Sequence, residues 1–380
     1  MEIYIFDKDL KLKGVLDSFI SLRWVKRYSK SGDFQLNCVL NEDSIKLLQR
    51  GNIIFKKGDN EAGYIETRQL SINSSGNELL EIKGKFLTNY LNRRISWGRI
   101  CFDGSCKNLI EKLINENVIN PSNIKRKIPN IILGNININN SIQYNNSFGN
   151  ILEQLEKVAD TNNFGFRNIL DIKNRKIIFE IYKGVDRTIN NGTVAPCIFS
   201  REFENILQQQ YIDSINNYKN TCLIAGAGEG SDRKITSIEE GEGLDRYEFY
   251  VDARDLQDKE QKEFKSKDAE GNETIEMKDV EIPWERYKPL LIQRGKEKLS
   301  ECKEVQSFDA KINIQGNNVY KKDFNLGDII TVRDKKWRLT LNRRITEIEE
   351  IYESKGVTIN VILGNSIPSI IDKIKQQVVR

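Results

Sequence analysis

The chain has 380 residues, 59 of them basic and 55 acidic, with a formal charge of +4. Such a length predicts two to four domains rather than one core, and the near-balance of charge gives no clustered basic face for sequence-specific nucleic-acid binding. Histidine is absent, which removes the commonest general base, the commonest metal ligand and every Ser-His or Cys-His nucleophile pair.

From the N-terminus, residues 1–95 read as strands. Ile3–Phe6 and Lys11–Leu16 flank a turn, and Ser21–Tyr28 and Phe34–Leu40 alternate apolar and polar residues around Ser31-Gly-Asp33. That is the pattern of a hairpin with one buried face. A short helix over Glu42–Gln49 leads to Gly51–Phe55. A further hairpin, Ala62–Ile72 with Glu78–Ile82, turns at Ser75-Gly76. Short strands with glycine turns point to a small β-barrel or sandwich. Residues 96–205 change character. Gly104–Ile114, with Ser105 as candidate N-cap, and Gly149–Ala159 have helical apolar spacing. Ile131–Ile142 is an extended Asn/Ile tract, and Phe164–Arg167 and Lys176–Tyr182 are strands. This predicts an inserted α+β domain.

The β pattern returns at Gln208. Asn220–Arg233 runs into three alternating glycines, Gly226, Gly228 and Gly230, with Glu229 between the last two, and a second alternating run follows to Val251. The charged segment Asp252–Glu281, interrupted by Asp268-Ala-Glu-Gly-Asn272, reads as a solvated helix broken by a loop. A better helix follows over Pro283–Leu299. Strands at Phe308–Ile314, Gly327–Val332, Trp337–Ile348 and Val357–Leu363 precede an amphipathic helix over 366–380. No run approaches the roughly 18 apolar residues of a membrane helix. The N-terminus lacks a signal peptide's basic region and cleavage site, so the expectation is a soluble product made in a cytoplasm. Six scattered cysteines, at 38, 101, 106, 197, 222 and 302, read as buried thiols rather than a metal or redox site.

Two parts of the chain superpose. Gly51-Asn-Ile-Ile-Phe matches Gly327-Asp-Ile-Ile-Thr, and the spacing of Ile65, Gly76 and Gly84 recurs at Ile345, Gly356 and Gly364. In each copy the first later glycine suits a hairpin turn and the second a sheet exit. The expected architecture is α+β, mainly β. A first tube-like β-barrel domain occupies 1–95 and a second 206–251 with 306–365, with the α+β domain at 96–205, a helical insertion at 252–305 and a C-terminal helix at 366–380. Three copies of such a chain would present six similar units in a ring.

The chain also resembles the siphophage tail-protein family related to the baseplate hub proteins of contractile phages, phage-tail-like bacteriocins and injection systems. The resemblance is carried over roughly 1–365 by Trp24–Tyr28 with Gly32–Leu36, Gly63–Glu66, Lys83–Leu87, Leu91–Ile95, Tyr182–Arg187, Phe199–Asn205, Asn220–Arg233 with Val251–Leu256, Asp323–Val332 and Arg344–Ile348. It implies a homotrimer whose two tube-like barrels per chain form a pseudo-six-fold ring. That ring would dock the tail tube protein on one side and a spike or tip protein on the other, among other baseplate proteins, in a virion or tail-like particle assembled in a bacterial host. It implies no catalysis and no cofactor.

The sharper chemical readings are weaker. Gly226-Ala-Gly-Glu-Gly230 has GxGxG rather than GxGxxG, lacks a following helix and places Glu229 where a phosphate would approach, so a loop free for a partner is expected. The carboxylates of Glu239-Glu240-Gly-Glu242 and Glu347-Ile-Glu-Glu350 have the residue types of glycosidase chemistry, but their turn and strand settings favour solvated or interfacial charge. Arg93-Arg94 and Arg343-Arg344 flank barrel strands; they would line a channel or pair with acidic partner residues, or are ordinary surface charge. A tail-associated cell-wall hydrolase or glycan-binding tail protein is the alternative function, and a scaffold outside any particle a further one.

Overall fold

A computed structural model describes residues 1–364 apart from Asn73, Ser75 and 268–272. The helix expected over 366–380 lies outside the described residues. The chain is mainly β, 46% strand and 19% helix.

The first unit contains β1 (Ile3–Phe6), β2 (Leu12–Leu16), β3 (Ser21–Arg27), β4 (Asp33–Val39), helix α1 (Glu42–Leu47), β5 (Ile53–Lys56), β6 (Ala62–Ile72) and β7 (Glu78–Phe86). Strict alternation along β4 turns Phe34, Leu36 and Cys38 inward. There Trp24 packs with Phe34 and Phe86, whose ring centres lie 5.7 and 4.5 Å from its own. The short α1 holds its start by reciprocal capping between Asn41 and Ser44.

A 3-10 turn over Leu87–Arg93 leads into the α+β unit: β8 (Arg99–Ser105), α2 (Cys106–Ile114), β9 (Ile131–Leu133), β10 (Ser141–Ser147), α3 (Ile151–Asn162), β11 (Gly165–Asp171) and β12 (Lys176–Tyr182). Ser105 caps α2 by accepting the Asn108 N–H at 3.2 Å, and Asn150 caps α3. The apolar faces of both helices join a core that also takes in Ile53, Tyr64 and Leu91, so this unit packs on the first.

The chain then passes through β13 (Asp186–Arg187) and β14 (Ile198–Ser200) into β15 (Ile206–Ser214). Next come β16 (Thr221–Ala225), β17 (Ile235–Ile238), β18 (Glu248–Asp252), β19 (Lys259–Lys267), β20 (Glu273–Glu281) and α4 (Trp284–Ser300). Strands β16, β17 and β18 form a sheet of their own, order β17-β16-β18, with α4 against it. Strand β15 pairs directly with a strand that follows α4 in the chain, and β16 to β20 lie in other sheets. The solvated helix expected over Asp252–Glu281 is instead an antiparallel hairpin, β19 with β20, in register from Lys259↔Glu281 to Lys267↔Glu273. Lys, Glu and Gln favour helix in isolation, yet cross-strand pairing prevails here.

Finally, β21 (Val305–Ile312), β22 (Ile329–Asp334), β23 (Leu339–Glu353) and β24 (Gly356–Gly364) complete the second unit. The strand order β15-β21-β24-β23, with β22 beside β23, repeats the first unit's β3-β4-β7-β6-β5. The match extends to local geometry. β6 has a bulge between Ile65 and Thr67, and β23 has one between Ile345 and Glu347. Gly51 donates to the Ile65 carbonyl while Ile65 donates to the Asn52 carbonyl, both at 2.9 Å. Gly327 and Ile345 repeat this, with Ile345 donating to Asp328, at 2.9 and 2.8 Å. Both glycines have φ near +90°, at 89° and 90°, a conformation that favours glycine. In place of the β3–β4 turn, the second unit carries residues 215–304.

The two ladders are not separate barrels. β3 pairs with β23, from Arg27↔Glu347 to Ser21↔Glu353, and makes one sheet of 14 strands. Among the described residues no closed barrel is found. Arg27 bridges Glu347 at 2.7 Å and Asp33 at 2.6 Å, and Arg23 joins Asp33 and Glu349 across the same joint. Among the open strand edges of this sheet are the outer half of β6, which pairs with β5 only over Ala62–Tyr64, and the side of β15 away from β21; β2, paired only with β1, ends the sheet at the other side.

Candidate functional site

The glycine loop is anchored at its base and exposed at its tip. Gly226 is buried and donates to the Lys234 carbonyl at 2.8 Å, and Ala227 donates to the Tyr287 hydroxyl at 3.0 Å. Arg233 reaches back to the carbonyls of Gly226 and Ala225, at 3.1 and 3.0 Å, and to Asp252 at 2.6 Å. Tyr287 is buried and donates to the Leu256 carbonyl at 2.5 Å; burial raises its pKa. A Cβ on Gly226 would lie 2.5 Å from the Tyr287 hydroxyl, so the first glycine serves helix-to-strand packing. Gly226→Val should lower stability by about 1–3 kcal/mol through overpacking, while Gly230→Ala, with open space around it, should cost only about 1 kcal/mol, the strain of a side chain at φ 55°. Denaturant titration of the two variants distinguishes these outcomes. Gly228, Glu229 and Gly230 form the exposed tip, which leads into a 3-10 turn and β17.

The paired arginines occupy different settings. Arg93 ends the 3-10 turn after β7, exposed, with its guanidinium 4.5 Å from the Tyr64 ring centre and 4.3 Å from that of Tyr90. Arg94 donates to the Arg126 carbonyl, and Arg126 returns the contact to Ile95. Arg343 and Arg344 are half-buried on β23. Arg343 donates to Gln306, while Arg344 donates to the Gly327 carbonyl at 2.5 Å and covers the Tyr28 ring at 4.9 Å. Arg94, Arg343 and Arg344 thus hold backbone or neighbouring strands within the chain. Arg93 instead lines a groove of about 470 Å³ with Arg50, Gly51, Tyr64, Glu66 and Asn92.

Several of the clustered carboxylates are engaged in ion pairs. Glu239 meets Arg246 at 3.3 Å. Along β23, Glu347 and Glu349 face Arg27 and Arg23, whereas Glu350 turns inward. There it enters a buried charge network that the sequence reading missed. Lys56 pairs with Glu350 and, at 3.3 Å, with Asp59; Lys26 pairs with Asp59 at 2.6 Å and Glu61 at 3.3 Å; Lys321 approaches Asp59 at 3.8 Å. The Tyr320 and Tyr352 hydroxyls both donate to Glu350. Lys26, Lys56, Glu61 and Glu350 are all buried. Burial opposes the charge of Lys26 and of Asp59, but the facing charges prevail, so Lys26 is held above its ordinary pKa and Asp59 below. Burial prevails at Glu61 and raises it. The network spans the joint between the two ladders and seals it. None of the six cysteines is in a disulfide, and four are buried.

The decisive comparison is with protein families. A model described as siphovirus ReqiPepy6 Gp37-like protein matches residues 2–365. The chain belongs to this phage tail protein family. No curated protein sequence matches the chain. In fold, this tail protein is similar to the 43 kDa tail protein of prophage MuSo2 from Shewanella oneidensis, at 14% identity and a TM-score of 0.59, covering 96% of this chain and 98% of that one. It is also similar to a tail protein from Neisseria meningitidis MC58, at 11% identity and a TM-score of 0.56, covering 96% of both chains. A chain of a PdpA–VgrG complex is similar at 11% identity and a TM-score of 0.50, covering 97% of this chain and 65% of that one.

Proposed function

We propose that this tail protein is a non-enzymatic structural hub. Three copies form a ring of pseudo-six-fold symmetry, with the tail tube on one face and the central spike or tip on the other. The observation that carries this reading is the doubled ladder: two units with the same strand order, bulge and glycine bonds, joined edge to edge by β3 and β23. A chain holding two equivalent units converts a three-fold assembly into six near-equivalent positions. The open edges on β6 and β15 give the means of closure, because an unpaired strand edge is a template for another chain. Similarity to a chain of a VgrG complex supports a spike as one partner. The domain plan that suits this role keeps the two ladders as ring elements, with the α+β unit over 96–205 and the insertion after β15 attached to them.

Native mass spectrometry and negative-stain imaging test the reading. Purified protein, alone or with the tube and spike proteins of its particle, should give three-copy assemblies with a ring-like projection. A strict monomer under all these conditions that cleaves peptidoglycan would overturn it.

A further inference from the structure

We propose that the groove beside Gly51 is a socket for Ile215 of a second copy of this chain, with β6 and the neighbour's β15 paired in one fixed register. This rests on the ring reading but names a surface that the reading leaves open. The template lies inside the chain. In the second unit β23 pairs with β22 through its first half and with β3 through its second. Just beyond that joint, Tyr28 enters the second unit's core. Its N–H donates to the Thr346 carbonyl at 3.0 Å, Arg344 covers its ring, and Gly327 lies so close that a Cβ there would be 2.5 Å from the ring.

In the repeat, Gly327, Arg344 and Thr346 correspond to Gly51, Tyr64 and Glu66, and all three of these line the groove. No atom lies within 4 Å of a Cβ built on Gly51. The same place is therefore filled in the second unit and open in the first.

The occupant follows from register. Phe34 lies opposite Trp24 on one side and Gly84 on the other, and Gly84 pairs with the bulge residue Ile65. Phe308 lies opposite Tyr211 and Leu363, and Leu363 pairs with the bulge residue Ile345. Trp24 thus corresponds to Tyr211, and four residues on, Tyr28 corresponds to Ile215. Carrying the β3–β23 register over to β15 and β6 sets Arg68 opposite Asp213, Leu70 opposite Tyr211 and Ile72 opposite Gln209.

The chemistry fits. Leu70, Ile72 and Ile215 are 54%, 69% and 56% exposed. The template counterparts of the first and third, Glu350 and Tyr28, are buried. Opposite charges meet at Arg68 and Asp213. Main-chain pairing along an open edge supplies affinity, and the side-chain pocket fixes position.

The test uses the full chain with Cys101→Ser and Cys302→Ser, carrying Arg68→Cys and Asp213→Cys, under assembly conditions with tube and spike proteins. Mild oxidation should give inter-chain dimers and a closed three-chain species. In a second arm, Ile215→Glu should weaken each joint roughly ten- to hundredfold, the worth of one buried isoleucine, while Ile215→Val assembles; circular dichroism of both should match the parent. If the chain assembles but neither cross-links nor responds to Ile215→Glu, the socket is wrong and the ring stands. If the parent never assembles, both fail.

Discussion

Lys56→Met should lower folding stability by about 3–5 kcal/mol, the cost of leaving a buried charge without its partner. The double change Lys56→Met with Glu350→Leu should recover most of that loss. Lys56 sits between Glu350 and Asp59, with its ammonium 5.8 Å from the Trp24 ring centre and 5.1 Å from that of Tyr352. Removing it alone strands Glu350 among two tyrosine hydroxyls. Removing both leaves Lys26 and Lys321 facing Asp59 and Glu61, still balanced. Urea titration of the three proteins checks this; equal losses in the single and double variants would show that packing, and not charge pairing, holds the joint. The pH dependence has a definite sign. Asp59 has its folded pKa depressed, so its contribution is present above the ordinary carboxylate value near 3.9 and is lost as pH falls below it. Lys26 has its folded pKa raised, so its contribution is fully present below about 10.4 and is lost as pH climbs through the folded value. Glu61, raised by burial, works against folding as pH increases and offsets part of the gain.

The sequence makes the strand ladders legible because one buried face imposes a period of two. Phe34, Leu36 and Cys38 alternate as their burial does. The repeat is legible through the matches of Gly51 with Gly327 and Ile65 with Ile345, where a bulge fixes the approach of the neighbouring backbone. The last glycine falls one place out of step, since Ile65 pairs with Gly84 but Ile345 with Leu363. The helix caps at Ser105 and Asn150 follow from local chemistry, serine and asparagine both being preferred N-cap residues. The charge network is hidden because lysine and glutamate on strands read as solvated. A signal for it exists in phase: Glu350 shares the inward phase of Ile348 and Tyr352, and Lys26 that of Leu22 and Trp24. The β19–β20 hairpin is hidden for another reason. Many of its residues are helix formers, and only pairing with the next strand decides between the two structures. Nor could spacing reveal that the two ladders fuse through β3 and β23, because the partners are more than 300 residues apart and the charges that join them, Arg23 and Arg27 with Glu349 and Glu347, resemble any surface ions.

Asp328→Ala should cost on the order of 3–5 kcal/mol and loosen the return of the α+β unit to the second ladder. Asp328 is 3% exposed. One carboxylate oxygen accepts the Val185 N–H at 2.8 Å; the other accepts the Asn325 N–H and the Arg187 side chain, both at 2.9 Å. These bonds hold β13 parallel to β22, with Asp186 opposite Ile329. Its counterpart in the first unit, Asn52, uses its side chain differently, donating to the Leu47 carbonyl at 2.8 Å behind α1. The Gly-Asp and Gly-Asn pairs therefore share the backbone bond to the bulge isoleucine but capture different incoming segments, and an amide cannot accept from three donors that include a guanidinium. Asp328→Asn should accordingly recover less than half the loss. Amide hydrogen exchange is the discriminating measurement. Protection should fall first at residues 185–187 and 329–331 while β3 and β4 keep theirs, and a uniform loss across both ladders would instead mark Asp328 as part of the global core.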